Sequence, residues 1–416
     1  MTDRFVVMGV THLRSPWFDE VARWATGGTI AIDFVKCVGV AEVAQRLRGG
    51  AACSAVLIDA AAPGLDRDLL TAIRRSGAAL ICVTDPRVQR PAPTLPHITL
   101  LPPTFGPEEL ITTLAAVAQP VSWRTVDRAA EIVPGPVTPE AGTRRAVGRV
   151  VAVCGRGGAG SSVISMALAQ QLSLRPDGAG SVGLADLTLN GDLACYHDAV
   201  DVIPGVQEFV EAHRHGSPGR SNSASMLHEV PERGYALLLG LRRRHDWTVI
   251  QPAATAAALD SLAGWFRWTV CDITADFETE EQTGSVDVEE RHSLALGATG
   301  RADVVVAVGV PTMKGVRDLV RLIDDLVATG VDPASIQPAV NHSPRSRNAR
   351  AEIAGALGTL CVHPPKASPV YVWTRRGLDT GLRCADRLPS AVGDPVADAV
   401  TELANRHLSH EPVHAA

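Results

Sequence analysis

One segment limits what this chain can fold into. Val150-Val-Ala-Val-Cys154-Gly155-Arg156-Gly157-Gly158-Ala159-Gly160-Ser161-Ser162 joins an apolar run to a helical one, Val163–Leu172. Branched apolar residues, then glycines, then helix formers read as strand, tight turn and helix. Such a turn presents backbone amides at a helix N-terminus, where they can wrap phosphate oxygens. Gly155 and Gly160 stand at the spacing of G-x-x-x-x-G-K-[ST], and Ser162 fills the position of the magnesium-coordinating hydroxyl. Ser161 takes the lysine position, so the segment lacks the point charge usually set on the β/γ-phosphates. A turn needed only to reverse the chain would also use glycine. Four glycines in six residues between a strand and a helix favour the phosphate-binding reading.

The same alternation continues on both sides. Phe5–Val10, Thr29–Val35, Ala55–Asp59, Leu80–Thr84 and Ile98–Leu101 read as strands, separated by helical runs at Trp17–Ala25, Val40–Arg48, Asp66–Ser76 and Pro107–Ala118. Beyond residue 149 the strand candidates are Val150–Cys154, Val182–Asp186, Tyr235–Leu241, Trp268–Asp272, Val304–Gly309, Ile336–Asn341 and Val370–Trp373. Continuous apolar strands alternating with helices predict parallel sheets covered on both faces. The expected fold class is α/β, with two doubly wound parallel-sheet domains over residues 1–118 and 148–416. Pro120, Pro134, Pro136 and Pro139 mark 119–147 as a Pro-rich linker.

Composition narrows the function classes. A formal charge of -6 argues against a general nucleic-acid coat, and no direct nucleic-acid partner is expected. Only Lys36, Lys314 and Lys366 are lysines, so few positions remain for lysine-dependent chemistry. The eight cysteines lie far apart, several inside apolar runs, and read as small buried hydrophobes of a cytoplasmic protein rather than a disulfide frame or zinc site. No stretch approaches 18 uninterrupted apolar residues, so no transmembrane segment is expected. His213, His215 and His363 have no partner at metal-ligand spacing, and the acidic residues from Glu278 to Glu290 read as a solvated loop and helix start.

Gly155–Ser162 resembles the deviant Walker loop, K-G-G-x-G-K-[ST], of the MinD/ParA ATPase family. Arg156 stands where that family places a lysine reaching across a dimer, and Ser161 where it places the usual phosphate-loop lysine. The resemblance implies further roles. Asp186 falls at the water-orienting or switch aspartate, Asp192 in the switch-like loop, Asp272 at the aspartate holding magnesium through water, and Asn341 where an asparagine reads adenine. It also implies ATP or ADP with Mg, and a homodimer that sandwiches nucleotide between subunits. Loss of the lysine places hydrolysis in doubt while leaving the amide cradle. Arg242-Arg243-Arg244 follows a strand candidate and is either a substitute cation for that lysine or a solvated or partner-binding loop.

Residues 1–118 resemble a response-regulator receiver domain, with Asp59 at the end of the third strand and Thr84 at the end of the fourth. Thr11 and His12 stand after the first strand in place of an acidic pair, and Pro102-Pro103 follows the fifth strand without lysine. The expected reading is a pseudo-receiver serving interaction or dimerisation, against a divergent phosphoacceptor. Receiver-like module, Pro-rich linker and lysine-poor MinD-like module together resemble the CpaE/TadZ group of localisation factors. That implies septum-site or pilus-assembly positioning through protein partners of a division or secretion apparatus. The implied place is the cytoplasm, with recruitment to the inner membrane face through those partners. An active ATPase using arginine in place of lysine, and a nucleotide-free scaffold, are the alternatives.

Overall fold

The computed structural model describes residues 4–11, 15–84, 97–121, 148–176, 178, 180–199, 201–375 and 378–410, with the backbone alone at 407–410. The linker expected over 119–147 lies almost wholly outside these residues. The chain divides into two compact units, Met1–Gly142 with Arg214–Gly216 and Thr143–His213 with Ser217–Ala416. Both are α/β. Among the described residues no helix is long and apolar enough to cross a membrane.

The first unit holds five parallel strands, β1 (Phe5–Val10), β2 (Ile32–Cys37), β3 (Ala55–Asp59), β4 (Ala79–Val83) and β5 (Thr99–Leu101), in the order β2-β1-β3-β4-β5. Residues of β3 and β4 are buried on both faces, as a covered parallel sheet requires. β2 begins three residues later than the sequence suggests. The amides of Thr29 and Ile30 both donate back to the Trp24 carbonyl, so this stretch closes the helix Pro16–Thr26 before the strand starts.

The second unit holds an eight-stranded sheet. Its strands are β6 (Arg149–Gly155), β7 (Val182–Leu187), β8 (His228–Val230), β9 (Tyr235–Leu238), β10 (Trp268–Ile273), β11 (Val304–Gly309), β12 (Ile336–Val340) and β13 (Val370–Tyr371). They lie in the order β13-β12-β11-β6-β10-β7-β9-β8, all parallel except the edge strand β8, which pairs antiparallel with β9. From β6 the chain moves outward to β7 and β9, returns to β10 beside β6, and continues to β11 on the other flank. The winding therefore reverses around β6 and β10, and crevices at such reversals, outside the carboxyl ends of the strands, are where ligands bind.

The helix Ser161–Leu174 follows β6 and is buried without a break from Ile164 to Ser173. One side faces the sheet. The other is covered by the helix Ser390–His410, whose Gly393 sits so close that a Cβ there would overlap the Ala167 carbonyl. Near the middle of the Ser161–Leu174 helix lies a polar knot around Arg233, a fully buried side chain in the turn between β8 and β9. Its Nε donates to the Asp386 carbonyl at 3.0 Å, and its Nη1 lies 3.1 Å from His197 Nε2 and 3.3 Å from Met166 Sδ. The Tyr235 hydroxyl also reaches His197 Nε2, at 2.7 Å, while His197 Nδ1 faces the Leu193 carbonyl at 2.7 Å. The proton thus belongs on Nδ1, leaving Nε2 to accept twice. Burial, followed by the nearby Arg233 charge, pushes the His197 pKa down to about 4, which keeps the ring neutral.

Six of the eight cysteines are buried free thiols, as small hydrophobes should be; Cys195 and Cys384 are exposed and depart from that reading.

Candidate functional site

The loop between β6 and the helix Ser161–Leu174 takes the conformation its glycines permit. Gly158 and Gly160 have φ of 81° and 84°, in the left-handed region, and Gly160 is the N-cap residue of the helix. A Cβ at Gly157 or Gly158 would meet nothing within 4 Å, so this stretch of loop is open. Gly160 is closed on its other side by Asn341. The Asn341 side chain is buried just after β12, donates from Nδ2 to the Ala159 carbonyl at 3.0 Å, and accepts the His342 amide at 2.9 Å. It braces the glycine loop, so the residue expected to face a base is bonded to the loop and to its own chain.

Arg156 also has a partner within its own chain. Its Nη2 lies 2.5 Å from Asp325 Oδ2 on the helix Met313–Ala328. Both side chains are partly exposed, at 36% and 48%, so the pair is one that solvent and salt weaken. Ser161 and Ser162 open the helix behind the loop.

Two carboxylates lie beneath the loop. β7 and β10 are neighbours with Asp186 and Asp272 in register, and parallel in-register residues project from the same face. Both are buried. Asp272 accepts the Ser165 hydroxyl at 2.9 Å, and the Ser162 hydroxyl acts on it in the same direction. Asp186 accepts three donors from the loop after β7: the Thr188 amide at 3.1 Å, the Thr188 hydroxyl at 2.7 Å and the Leu193 amide at 2.9 Å. Those bonds fasten the turn Asp192–His197, with exposed Asp192 at its start. Burial pushes the Asp272 carboxyl up to about 7, with the Asp186 charge adding to it, and burial raises Asp186 as well.

Among the described residues no cation offsets the pair's negative charge. Among the described residues no group of three or more His, Cys, Asp and Glu side chains could hold a metal ion by itself. Two carboxylates and a serine hydroxyl beside a glycine loop suit a different arrangement. Magnesium commonly takes one or two carboxylates and completes its shell with water and substrate phosphates. The donor set fits that ion.

A stability consequence follows from the raised carboxyl. With Asp272 at about 7 when folded and about 4 when unfolded, the folded chain binds the extra proton between those values. Stability from this group falls as pH rises through that window and stays low above it. Asp272→Asn keeps an acceptor for Ser165 and removes the charge. It is expected to raise the melting temperature at about pH 8, corresponding to a gain on the order of a few kcal/mol, with the two proteins converging near about pH 4. Thermal melts across that range check it.

No family model matches the chain, and no curated protein matches it. Solved structures similar to the chain include a ParA family ATPase from Chlorobium tepidum TLS, at 17% identity and a TM-score of 0.48, over 63% of this chain and 99% of that one. A putative plasmid partition protein from Borrelia burgdorferi B31 bound to AMPPNP is similar at 14% identity and a TM-score of 0.46, over 62% and 99%. The septum site-determining protein MinD from Pyrococcus horikoshii OT3, complexed with Mg-ADP, is similar at 15% identity and 0.43, over 64% and 99%.

Most of the sequence-predicted site residues thus meet at the carboxyl edge of one sheet. Arg242, Arg243 and Arg244 do not join them through any contact among the described residues. They are exposed beyond the end of β9, which stops at Leu238, and their guanidinium groups make no hydrogen bond or ion pair among the described residues. Sequence reasoning missed Ser165, Thr188 and Asp325. Ser165 carries a readable signal: a serine one turn after Ser161, inside the otherwise apolar run 163–169. Asp325 carries none, because acids abound on exposed helix faces.

In the first unit, Asp59 accepts hydrogen bonds from Thr11 Oγ1 at 2.7 Å, Ser15 Oγ at 3.0 Å and Trp17 Nε1 at 2.8 Å. The segment after β1 thus supplies neutral donors to this carboxylate. The Thr84 hydroxyl donates to the Leu101 carbonyl at 3.1 Å.

Proposed function

We propose that the second unit binds ATP or ADP with magnesium in the loop Gly155–Ser162, and that bound nucleotide acts chiefly as a conformational and dimerisation ligand. The observation that carries this reading is the buried, in-register Asp186–Asp272 pair beneath a glycine loop with left-handed Gly158 and Gly160. Two neighbouring buried carboxylates without a cation oppose each other, and a divalent ion bridging them to phosphates removes that opposition. The loop amides would cradle phosphate oxygens. Ser162 and Asp272 would hold magnesium, directly or through water, and Asp186 would link the ion to the turn Asp192–His197.

Hydrolysis is proposed to be slow or absent. Ser161 supplies no charge to the transferring phosphoryl group, and Arg156 is bonded to Asp325. The wider role proposed is that of a spatial regulator of the MinD/ParA type, in a CpaE/TadZ-like division of labour for septum or pilus positioning. The first unit would serve as a pseudo-receiver interaction module. Its support is that the Thr11, Ser15 and Trp17 donors already engage both carboxylate oxygens of Asp59.

Calorimetric titration of ATP and ADP into the full chain, with and without magnesium, tests the nucleotide reading. Expected is magnesium-dependent binding that Asp272→Asn severs from magnesium while leaving a weaker, metal-free association. Because Asp272 titrates near 7, the magnesium-dependent gain should be about tenfold larger at about pH 8 than at about pH 6. No heat at millimolar nucleotide would leave the loop as a structural turn and favour the scaffold alternative.

A further inference from the structure

The helices Met313–Ala328 and Arg347–Leu360 leave a groove of about 640 Å³ between them. Its floor is apolar: Val316 and Val320 from the first helix, Ile353 and Ala356 from the second. Met313 and Leu360 also line it, 92% and 60% exposed, and Val362 just beyond the second helix is 73% exposed. Large apolar side chains gathered at one groove mark a contact surface more often than scattered ones do. The two helices run alongside each other in the same sense. The Val362 amide, past the end of the second, donates to Asp324 in the last third of the first.

The rim has a sign. Arg317 and Arg321 stand one turn apart on the first helix, both exposed, and neither makes a hydrogen bond or a close ion pair among the described residues. The opposite wall offers one acid, Glu352. Asp318, on which the Arg321 charge also acts, is paired with Lys314, so the groove lining keeps two guanidinium groups against one carboxylate, a local reversal in a chain of net charge -6.

We infer that this groove docks an amphipathic helix of a partner protein, presenting apolar side chains to Val316, Val320, Ile353 and Ala356 and carboxylates to Arg317 and Arg321. A helix suits the groove better than an extended strand. Both walls are helix side chains, with no sheet edge to pair a strand's amides and carbonyls, whereas a helix satisfies its own. From Met313 to Arg321 the first helix rises about 12 Å, so a docked helix would contact it over about two turns with anchors at i, i+3 or i+4, and i+7. The surface lies wholly on the second unit, and the inference goes beyond the nucleotide reading without depending on it.

The test uses the full-length chain and a fluorescent helical peptide of about sixteen residues, with leucines at those anchor spacings and glutamates flanking them. A matched peptide carries lysines instead. Anisotropy titration is expected to show the glutamate peptide binding about tenfold more tightly, the gain of two rim ion pairs. Arg317→Glu with Arg321→Glu should reverse that preference, and Leu360→Asp should remove binding of both. Leu360 is exposed, so that variant is expected to fold, which its circular dichroism and melting temperature report. Equal binding of the two peptides, or binding unchanged by Leu360→Asp, overturns the inference. So does failure of both peptides, and sedimentation of the chain with anionic vesicles in that case would assign the groove to lipid.

Discussion

Replacing Gly160 with alanine is expected to cost about 3 kcal/mol of stability and to remove nucleotide binding together, for two separable reasons. The first is backbone strain: φ is 84° at this position, where an L-residue loses on the order of 1–2 kcal/mol. The second is a collision, because the new Cβ would overlap the Asn341 side-chain amide. That amide cannot swing aside freely, since its bonds to the Ala159 carbonyl and the His342 amide fix it. Gly160 caps the helix that presents the loop amides, so any shift there misaims the cradle as well. A double-mutant cycle separates the causes. Adding Asn341→Ala to Gly160→Ala should relieve the collision and leave the strain. The pair should then be less destabilised than the sum of the singles by about 1 kcal/mol. Strict additivity in denaturant unfolding would show that no such collision exists.

Arg233 gives the second large effect, and its sign depends on the replacement. Arg233→Ala is expected to destabilise by about 3–5 kcal/mol, because the buried side chain leaves a void between β8–β9 and the Ser161–Leu174 helix that packed neighbours cannot fill. Arg233→Met should be within about 1 kcal/mol of the parent, or more stable. The reason is charge. Arg233 is fully buried, its Nη2 has no partner, and its neighbours are a carbonyl, an imidazole and a thioether rather than a carboxylate. A buried cation without an anion has a large desolvation cost that a methionine of similar length avoids. If urea unfolding showed methionine to be as damaging as alanine, the guanidinium bonds would outweigh the desolvation cost and this account would fail.

The parallel strands were legible because burial on both faces turns each into a largely apolar run: Val304–Gly309 is wholly apolar, and Trp268–Ile273 is interrupted only by Thr269 and Asp272. β8 was not legible. His228-Glu229-Val230 is three residues long, two of them polar, and becomes a strand only because β9 offers it an edge. The helix Arg347–Leu360 was missed for a related reason, since Ile353 and Leu357 are its only residues packed into the core. At the site, the glycine loop and both aspartates could be placed from order along the chain. Their partners could not, because hydrogen bonds such as Asn341 to Ala159 and Arg156 to Asp325 join residues far apart in sequence. Arg233 was hidden by its own neighbours: Pro231-Glu232-Arg233-Gly234 reads as a solvated turn, and nothing local announces that its third residue points inward.

The covering of the Ser161–Leu174 helix by Ser390–His410 bears on the order in which the protein can be made. A ribosome delivers β6 and the glycine loop early, with the outer side of the loop's helix still bare. Ala167 and Gln171, which lie against Gly393, cannot be enclosed until the distant segment emerges and closes over them. During synthesis that interval leaves an apolar helix open to chaperones or to another nascent chain. A polysome-bound chain truncated before Ser390 should accordingly be far more protease-sensitive around residues 161–174 than the released protein.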